Sequence, residues 1–324
     1  MYYNHSFLWQ MLSAQKNFFS FISMFGVTIL GNNSALPAYD RHPTAQVVTL
    51  NDQLFLIDCG EGTQMQMNYY KIRRSRINHI FISHLHGDHY FGLAGLINSM
   101  ALLNREHDLH IYAHAPLQKI TQLQFDIANT QLPFRLHFHE LKNEGTILEH
   151  EKFSVECFAV QHRIDCMGFI IREKRNPRKI DIAKLKEFDI PVTFYDKLQH
   201  GYDYTTPAGD TIKNETVTTA NTPSRSYAYC ADTIFDESIA GKIKNINLLY
   251  HEATYLKDLA SRAASRFHST TEQAATLAKL ADAKRLLIGH FSSKYESLDN
   301  FLEEAREVFP ATDLALEGVT YLVR

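Results

Sequence analysis

The sequence predicts an α/β protein, with a layered αββα arrangement as its architecture. Three observations support this. Short β-rich runs alternate with helical patterns from Met24 to the last residue, several apolar runs stop abruptly at Asp, His or Glu, and no internal repeat or low-complexity tract interrupts them. Phe25–Leu30, Gln46–Leu50 and Gln53–Ile57 read as strands, the last two joined by a turn at Asn51-Asp52. Glu61–Tyr70 has a helical pattern, His79–Ser83 reads as a buried strand and Tyr90–Leu103 as a helix. Leu109–Ala113, Arg135–Glu140 and Phe153–Val160 follow as strands. Ser226–Cys230, Leu248–His251 and Leu286–Gly289 are the apolar runs that end near Asp, His or Glu. Thr271–Leu280 and Leu298–Phe309 have helical patterns.

The 324 residues suffice for one large domain or two modest ones, and 45% hydrophobic with 21% charged residues excludes a disordered, collagenous or coiled-coil chain. Lys+Arg 33 against Asp+Glu 36 gives −3, so any surface that attracts nucleic acid must be local. Cys59, Cys157, Cys166 and Cys230 are scattered without a C-x-x-C pair, the usage of reduced thiols in a cytoplasmic protein. No apolar run approaches the roughly 20 residues a membrane span needs, so no membrane partner is expected. Residues 1–23 are aromatic-rich but lack a basic opening, and Gln10, Gln15, Lys16 and Asn17 break the apolar stretch. They read as an N-terminal extension of no assigned function ahead of a domain over 24–324. Seventeen histidines are many for this length and direct attention to metal.

The informative string is Ile80-Phe-Ile-Ser-His84-Leu-His86-Gly-Asp88-His89. A buried strand ends and four ligand-type side chains follow within six positions, a set that suits two adjacent cations of the zinc type, and that manganese or iron also fits. A second string, Ile171–Lys186, carries seven basic and two acidic residues, a local +5. It reads either as a solvated helix face with its loop or as an arm that extends, turn-rich, to about Thr206.

H-x-H-x-D-H after a buried strand resembles the metallo-β-lactamase superfamily, whose αββα sandwich adds three further ligands at strand ends. The matching positions are His162 in AVQHRID, Asp232 in YCADT and His290 in LLIGHFS. Asp58 in LFLIDCGEG matches the position that orients the ligand loop, while a helix N-cap for the Glu61 helix is its purely structural role. Over about residues 24–324 the chain is more specifically similar to the tRNase Z family of tRNA 3′-end endonucleases. The strings that carry this are LIDCGEGTQMQ, FISHLHGDHYFGLAGL, LLYHEATY, RFHSTTEQAATLAKLADAKRLLIGHFSSKY and Arg225–Thr233.

The resemblance implies two zinc ions per subunit. His84, His86 and His162 would hold one, Asp88, His89 and His290 the other, with Asp232 bridging. It implies metal-hydroxide attack on a phosphodiester of precursor tRNA that removes the 3′ trailer and leaves a 3′-hydroxyl. Asp88 would aim the nucleophile, and His268, oriented by Glu252, would protonate the leaving oxygen. Ser269-Thr-Thr-Glu272 reads as a capping box that puts His268 immediately before a helix N-terminus. The inserted segment, about 171–206, would be the arm that grasps tRNA through Lys174, Arg175, Arg178 and Lys179, with Arg225 touching the acceptor-end phosphate and Lys71–Arg76 as a second basic cluster. The family implies a homodimer in which one subunit's arm serves the other's active site.

Two departures stand out. Ile190-Pro191-Val192-Thr193 replaces a Gly-Pro-rich arm tip, and Pro37-Ala38-Tyr39-Asp40-Arg41-His42 has Tyr39 where the loop linked to CCA rejection carries lysine. They leave the geometry of the arm and the cleavage position relative to CCA open. The rival readings are a small-molecule phosphodiesterase or arylsulfatase-like hydrolase of the same fold, and a non-catalytic RNA-binding scaffold.

Overall fold

Fourteen strands in two seven-stranded sheets form the centre of a computed structural model that describes residues 24–174, 177–221 and 223–324. In chain order they are β1 (Phe25–Gly31), β2 (Ala45–Leu50), β3 (Gln53–Ile57), β4 (Ile77–Phe81), β5 (Leu109–Ala113), β6 (Leu136–Glu140) and β7 (Gly145–Glu149). The second half holds β8 (Phe153–Val160), β9 (Cys166–Glu173), β10 (Ser226–Cys230), β11 (Leu248–Glu252), β12 (Leu286–Gly289), β13 (Thr312–Leu314) and β14 (Thr320–Leu322). The first sheet runs β14-β1-β2-β3-β4-β5-β6 and the second β13-β12-β11-β10-β9-β8-β7. In each, antiparallel hairpins give way to parallel strands, β3 to β6 in one and β10 to β13 in the other. The parallel strands need helical crossovers, and their carboxyl ends point the same way.

Three apolar cores make the layers. One, with Phe55, Phe81, Phe169, Tyr227 and Tyr250, lies between the sheets; the other two pack helices onto the outer faces, Leu93–Leu102 on the first sheet and Thr271–Leu280 on the second. This is the expected αββα order. The predicted strand limits hold closely, and those of β3, β5, β8, β10 and β12 match to the residue. Helices differ more. The Glu61 helix begins only at Thr63, because Gly62 sits at φ +82°, and Asp58 does not cap it. The Tyr90 helix splits into Gly87–Tyr90 and Leu93–Leu102, with Gly92 between. The four cysteines are buried and unpaired, and no helix among the described residues is long and apolar enough to cross a membrane.

Ile171 and Arg172 belong to β9, and Ile171 is fully buried, so the basic segment starts as a core strand. The inserted unit follows it and runs on past Thr206, to a two-strand pairing of Lys179–Ile180 with Thr218–Thr219. It has its own small core of Leu185, Ile190, Leu198 and Val217. Both ends of this unit leave from the end of β9 and β10 that lies opposite the carboxyl end of β10. Arg175 lies outside the described residues, as do residues 1–23.

Several histidines serve packing. His79, His110 and His137 stand opposite one another on β4, β5 and β6, and their rings stack at 5.1 and 4.8 Å, with His139 beside Tyr112. Burial, then repulsion from His110, His139, His150 and Arg105, lowers His79 to about 4, and burial also lowers His110 and His139. The unfolded chain therefore binds more protons than the folded one between about pH 4 and 6.5, so stability is full above that window and falls on acidification through it. In urea titrations, His79→Phe should reduce the loss between pH 6.5 and 4 by on the order of 1–2 kcal/mol, after allowance for partial exposure. A pH dependence identical to that of the wild type would refute the assignment.

Candidate metal centre

Chain ends of both sheets meet at one cavity. His84, His86, Asp88 and His89 follow β4, His162 follows β8, Asp232 follows β10 and His290 follows β12. More than fifty residues separate each of these segments from the next, yet their ligand atoms converge. One atom from each of His84, His86, His162 and Asp232 lies within 4.8 Å of the others, and Asp88, His89 and His290 form a second such group. Asp232 stands between them, with Oδ2 3.7 Å from His84 Nε2 and 3.4 Å from His89 Nε2, and Oδ1 3.2 Å from His290 Nε2. Asp88 Oδ2 is 3.6 Å from His89 Nε2 and 3.5 Å from His290 Nε2.

Hydrogen bonds at the outer ring nitrogens decide what faces inward. His84 Nδ1 lies 3.0 Å from Ser83 Oγ, whose own proton goes to Asp58. His89 Nδ1 lies 2.7 Å from Asp58 Oδ2, His162 Nδ1 2.9 Å from the Phe267 carbonyl, and His290 Nδ1 3.0 Å from Thr254 Oγ1, which itself donates to Glu252. With the proton on these outer nitrogens, Nε2 of His84, His162 and His290 presents a lone pair to the cavity, while His89, faced by three carboxylates, holds a second proton on Nε2 that a cation would displace. His86 turns Nδ1 inward, 3.0 Å from His84 Nε2 and 3.1 Å from His162 Nε2.

Lone pairs this close need positive charge between them. Burial lowers His84, His86 and His162 and keeps them neutral, as metal ligation requires. Burial opposes charge on His89 as well, but Asp232, Asp58 and Asp88 overcome it and push His89 well above its usual range. Asp232 is buried, and its Oδ1 accepts no hydrogen bond among the described residues. An all-imidazole and carboxylate set with an orphaned carboxylate oxygen fits divalent cations of the zinc class.

Asp58 takes the orienting role rather than the cap. It accepts from Ser83 N at 2.8 Å, Ser83 Oγ at 2.9 Å and Tyr229 OH at 2.6 Å, as well as holding His89. The ligand loop rests on the adjacent turn without side chains between them. A Cβ on Gly60 would stand 2.4 Å from the Asp88 carbonyl, and one on Gly92 2.2 Å from the Gly60 carbonyl. Only glycine permits that approach.

His268 borders the centre. Its Nδ1 lies 2.8 Å from Glu252 Oε1 and 4.0 Å from Asp232. Glu252 is buried, and Thr233 N, Thr254 N and Thr254 Oγ1 satisfy its other lone pairs. Burial disfavours charge on His268, but Glu252 outweighs it and raises His268 to about 9. The capping box is Thr270 with Gln273, one residue later than the sequence suggested, because Ser269 Oγ donates to the Thr233 carbonyl. Two residues therefore separate His268 from the first helical position.

Other expected contacts lie elsewhere. Arg225 precedes β10, whose far end carries Asp232; its guanidinium grips Glu173 at 2.6 and 2.8 Å and lies over Phe25, so it is not at the cavity. Lys71–Arg76 precede β4, again at the end away from the ligands. In the inserted unit, Lys174 pairs with Glu149, Arg178 donates to Thr218 and Lys179 is exposed. Arg41 is buried and bonded to Asn33 and Glu296, while Ser34–Pro37 line the cavity. The sequence motifs do not point to Thr254 or Ser83, which fasten ligand rings, or to Arg163, which lines the cavity. Thr254 does stand in the HEAT string, and Arg163 is the neighbour of His162.

A family model described as Anti-Pycsar protein Apyc1 matches residues 25–180, less than half of the chain. A curated relative, "Ribonuclease Z" of Porphyromonas gingivalis, is 42% identical over 298 residues, 91% of this chain and 98% of its own length. Among solved structures, the short form of human tRNase Z is similar at TM-score 0.68 and 25% identity, covering 92% of this chain and 99% of that one. The metallo-β-lactamase fold protein YhfI of Bacillus subtilis superposes at TM-score 0.67 with 18% identity, covering 93% and 100%, a likeness of fold.

Loss of an orienting partner should weaken the metal without removing a ligand. Asp58→Asn should lower metal affinity 10–100-fold in competition with a chelator, and Asp232→Ala should abolish binding at one equivalent or more. His110→Ala, in the packing ladder, should retain full metal content. Equal metal content in all three variants would overturn the assignment.

Proposed function

The chain belongs to the ribonuclease Z family, and from that premise we propose that it is a zinc-dependent endoribonuclease that removes the 3′ trailer of precursor tRNA and leaves a 3′-hydroxyl. The observation that carries this reading is His268, an imidazole held by buried Glu252 at the edge of the seven-residue centre. A β-lactam or small-ester hydrolase has no need of a protonated leaving-group histidine there.

Zinc ions held by His84, His86 and His162, and by Asp88, His89 and His290, with Asp232 shared, would acidify a water and stabilise charge on the phosphoryl oxygens. The chain's own residues do the rest. Asp88, fixed by the Ala35 backbone N–H at 2.8 Å, accepts a hydrogen bond from the attacking water and aims it. Glu252 holds His268 Nδ1, which leaves Nε2 as the free donor. His268 then gives its proton to the departing 3′-oxygen, a contribution of about 10²–10⁴-fold. Both imidazole and carboxylate are preorganised, so no side chain must be desolvated during the step.

Grip and chemistry stand at opposite ends of the second sheet. The eight residues of β9 separate the root of the inserted unit from the His162 loop by about 23 Å. We extend the reading to a homodimer in which this unit, through Lys174, Arg178 and Lys179, binds tRNA for the partner's centre.

With a 3′-extended tRNA precursor, His268→Ala should reduce kcat by about 10²–10⁴-fold with metal content unchanged; near-normal turnover would remove His268 from the leaving-group role. Because the protonated form is the donor, kcat should fall as pH rises through about 9. Glu252→Gln should move that limb to lower pH. Excising residues 177–221 should raise KM for precursor tRNA at least tenfold while a nitrophenyl phosphodiester is still hydrolysed; parallel loss of both substrates would speak against a separate gripping unit.

A further inference from the structure

Arg163 lines two adjoining depressions. The first, about 400 Å³, is the metal cavity, where Arg163 joins His86, Asp88, Asp232, His268 and His290. The second, about 690 Å³, lies on the other side of the loop after β8 and includes Lys142, Gln161 and Phe267. The Arg163 side chain is exposed, and among the described residues no hydrogen bond or ion pair engages its guanidinium. Glu61, Asp88 and Asp232 make the wall of the metal cavity acidic, and Arg163 is the Lys or Arg side chain on that wall. Its charge reaches the centre: besides burial, it contributes to lowering His86 and acts against the rise of His268.

An exposed guanidinium with no protein partner beside a carboxylate-rich centre is available to an anionic substrate, and its planar fork suits phosphate. A polynucleotide is such an anion, and it differs from a small diester in continuing beyond the reacting phosphorus. One strand must leave the metal cavity past its rim. The second depression offers Arg163 at its rim and an exposed aromatic ring at Phe267 on which a base can stack; Lys142, in its wall, is paired with Glu140 at 2.8 Å, and Asp165 lies beside them, so the phosphate contact falls to Arg163.

We propose that Arg163 is a positioning residue that grips the backbone phosphate adjacent to the scissile one and directs that strand into the second depression, which binds the flanking nucleotide. The proposal rests on the endoribonuclease reading. A guanidinium provides two N–H donors to one phosphate, whereas an ammonium provides only a point charge.

The test is steady-state kinetics of metal-loaded wild type, Arg163→Ala and Arg163→Lys on a 3′-extended tRNA precursor and on a nitrophenyl phosphodiester. Arg163→Ala should raise KM for the precursor about tenfold with kcat within about threefold, and flatten the slope of log affinity against log salt by about 0.7, one single-strand phosphate contact. Arg163→Lys should recover part of the affinity and most of the salt slope. The loss on the small diester should be at least fivefold smaller. An unchanged KM and salt slope would overturn the proposal, as would an equal loss on both substrates with metal retained, which would place Arg163 in the chemical step. Failure of the endoribonuclease reading would show separately, as wild-type protein that hydrolyses the diester and leaves the precursor intact.

Discussion

Five imidazole nitrogens and two carboxylates face one another across a few ångströms, and that confrontation governs the rest of the molecule. Buried lone pairs aimed at one another are repulsive and have lost their water. They stay in place because the opposite edge of most of these rings is fastened: His84 to Ser83, His89 to Asp58, His162 to the Phe267 carbonyl, His290 to Thr254. Asp58 and His290 both adopt left-handed backbone, at φ 55° and 60°. For a residue with a Cβ this costs about 1–3 kcal/mol. Such strain persists only where surrounding contacts overdetermine the geometry. The centre is a preorganised set whose favourable partner is positive charge.

The two-sheet architecture supplies the fastening. Asp58 belongs to the first sheet's end and Tyr229 to the second sheet, and the 2.6 Å bond between them crosses the core. Tyr227 and Gln46 make a similar crossing. Both tyrosines are fully buried, so these bonds form in a medium where they are strong and where an unmet partner is expensive. Register between the sheets is therefore fixed near the ligands by polar contacts as well as by apolar packing. A rigid seam between the sheets lets His89 and His290, two hundred residues apart, keep their nitrogens at 3.3 Å.

Much of this was legible because strands buried on both faces leave a strong mark. Apolar runs that end near Asp232, Glu252 and His290 mark β10, β11 and β12 in order, and their limits agree closely with the strands. What failed to show was anything decided by tertiary competition. Ser269 and Thr270 are equally good caps by type, and only the Thr233 carbonyl, from a distant segment, draws Ser269 away. Arg225 read as a phosphate contact because its alignment carries no information on Glu173, which comes from the neighbouring strand. The basic string at Ile171 misled at its start, since charge counting does not register that Ile171 and Arg172 pair with β8 and β10. The histidine count was a sound pointer to metal, yet His79, His110, His137 and His139 stack in a ladder remote from the centre. Imidazole is a good packing ring when neutral, so abundance alone does not separate the two uses.

A net charge of −3 and a carboxylate-rich centre present an anionic substrate with a repulsive approach. Two arrangements offset this. Near the reaction, cations held by the seven ligands, together with His268, which Glu252 raises, would on the proposed mechanism convert the acidic wall into one that attracts phosphate. Far from it, the basic stretch that opens the inserted unit, Arg172 to Lys186, sits at the other end of β9 and β10, where its charge leaves the ionisation of the centre undisturbed. Lysines placed beside Glu252 instead would lower His268 and, on the proposed mechanism, remove the proton offered to the leaving oxygen. On that reading, distance between grip and chemistry protects the chemistry, and binding energy from a remote site can be changed without altering the reacting geometry.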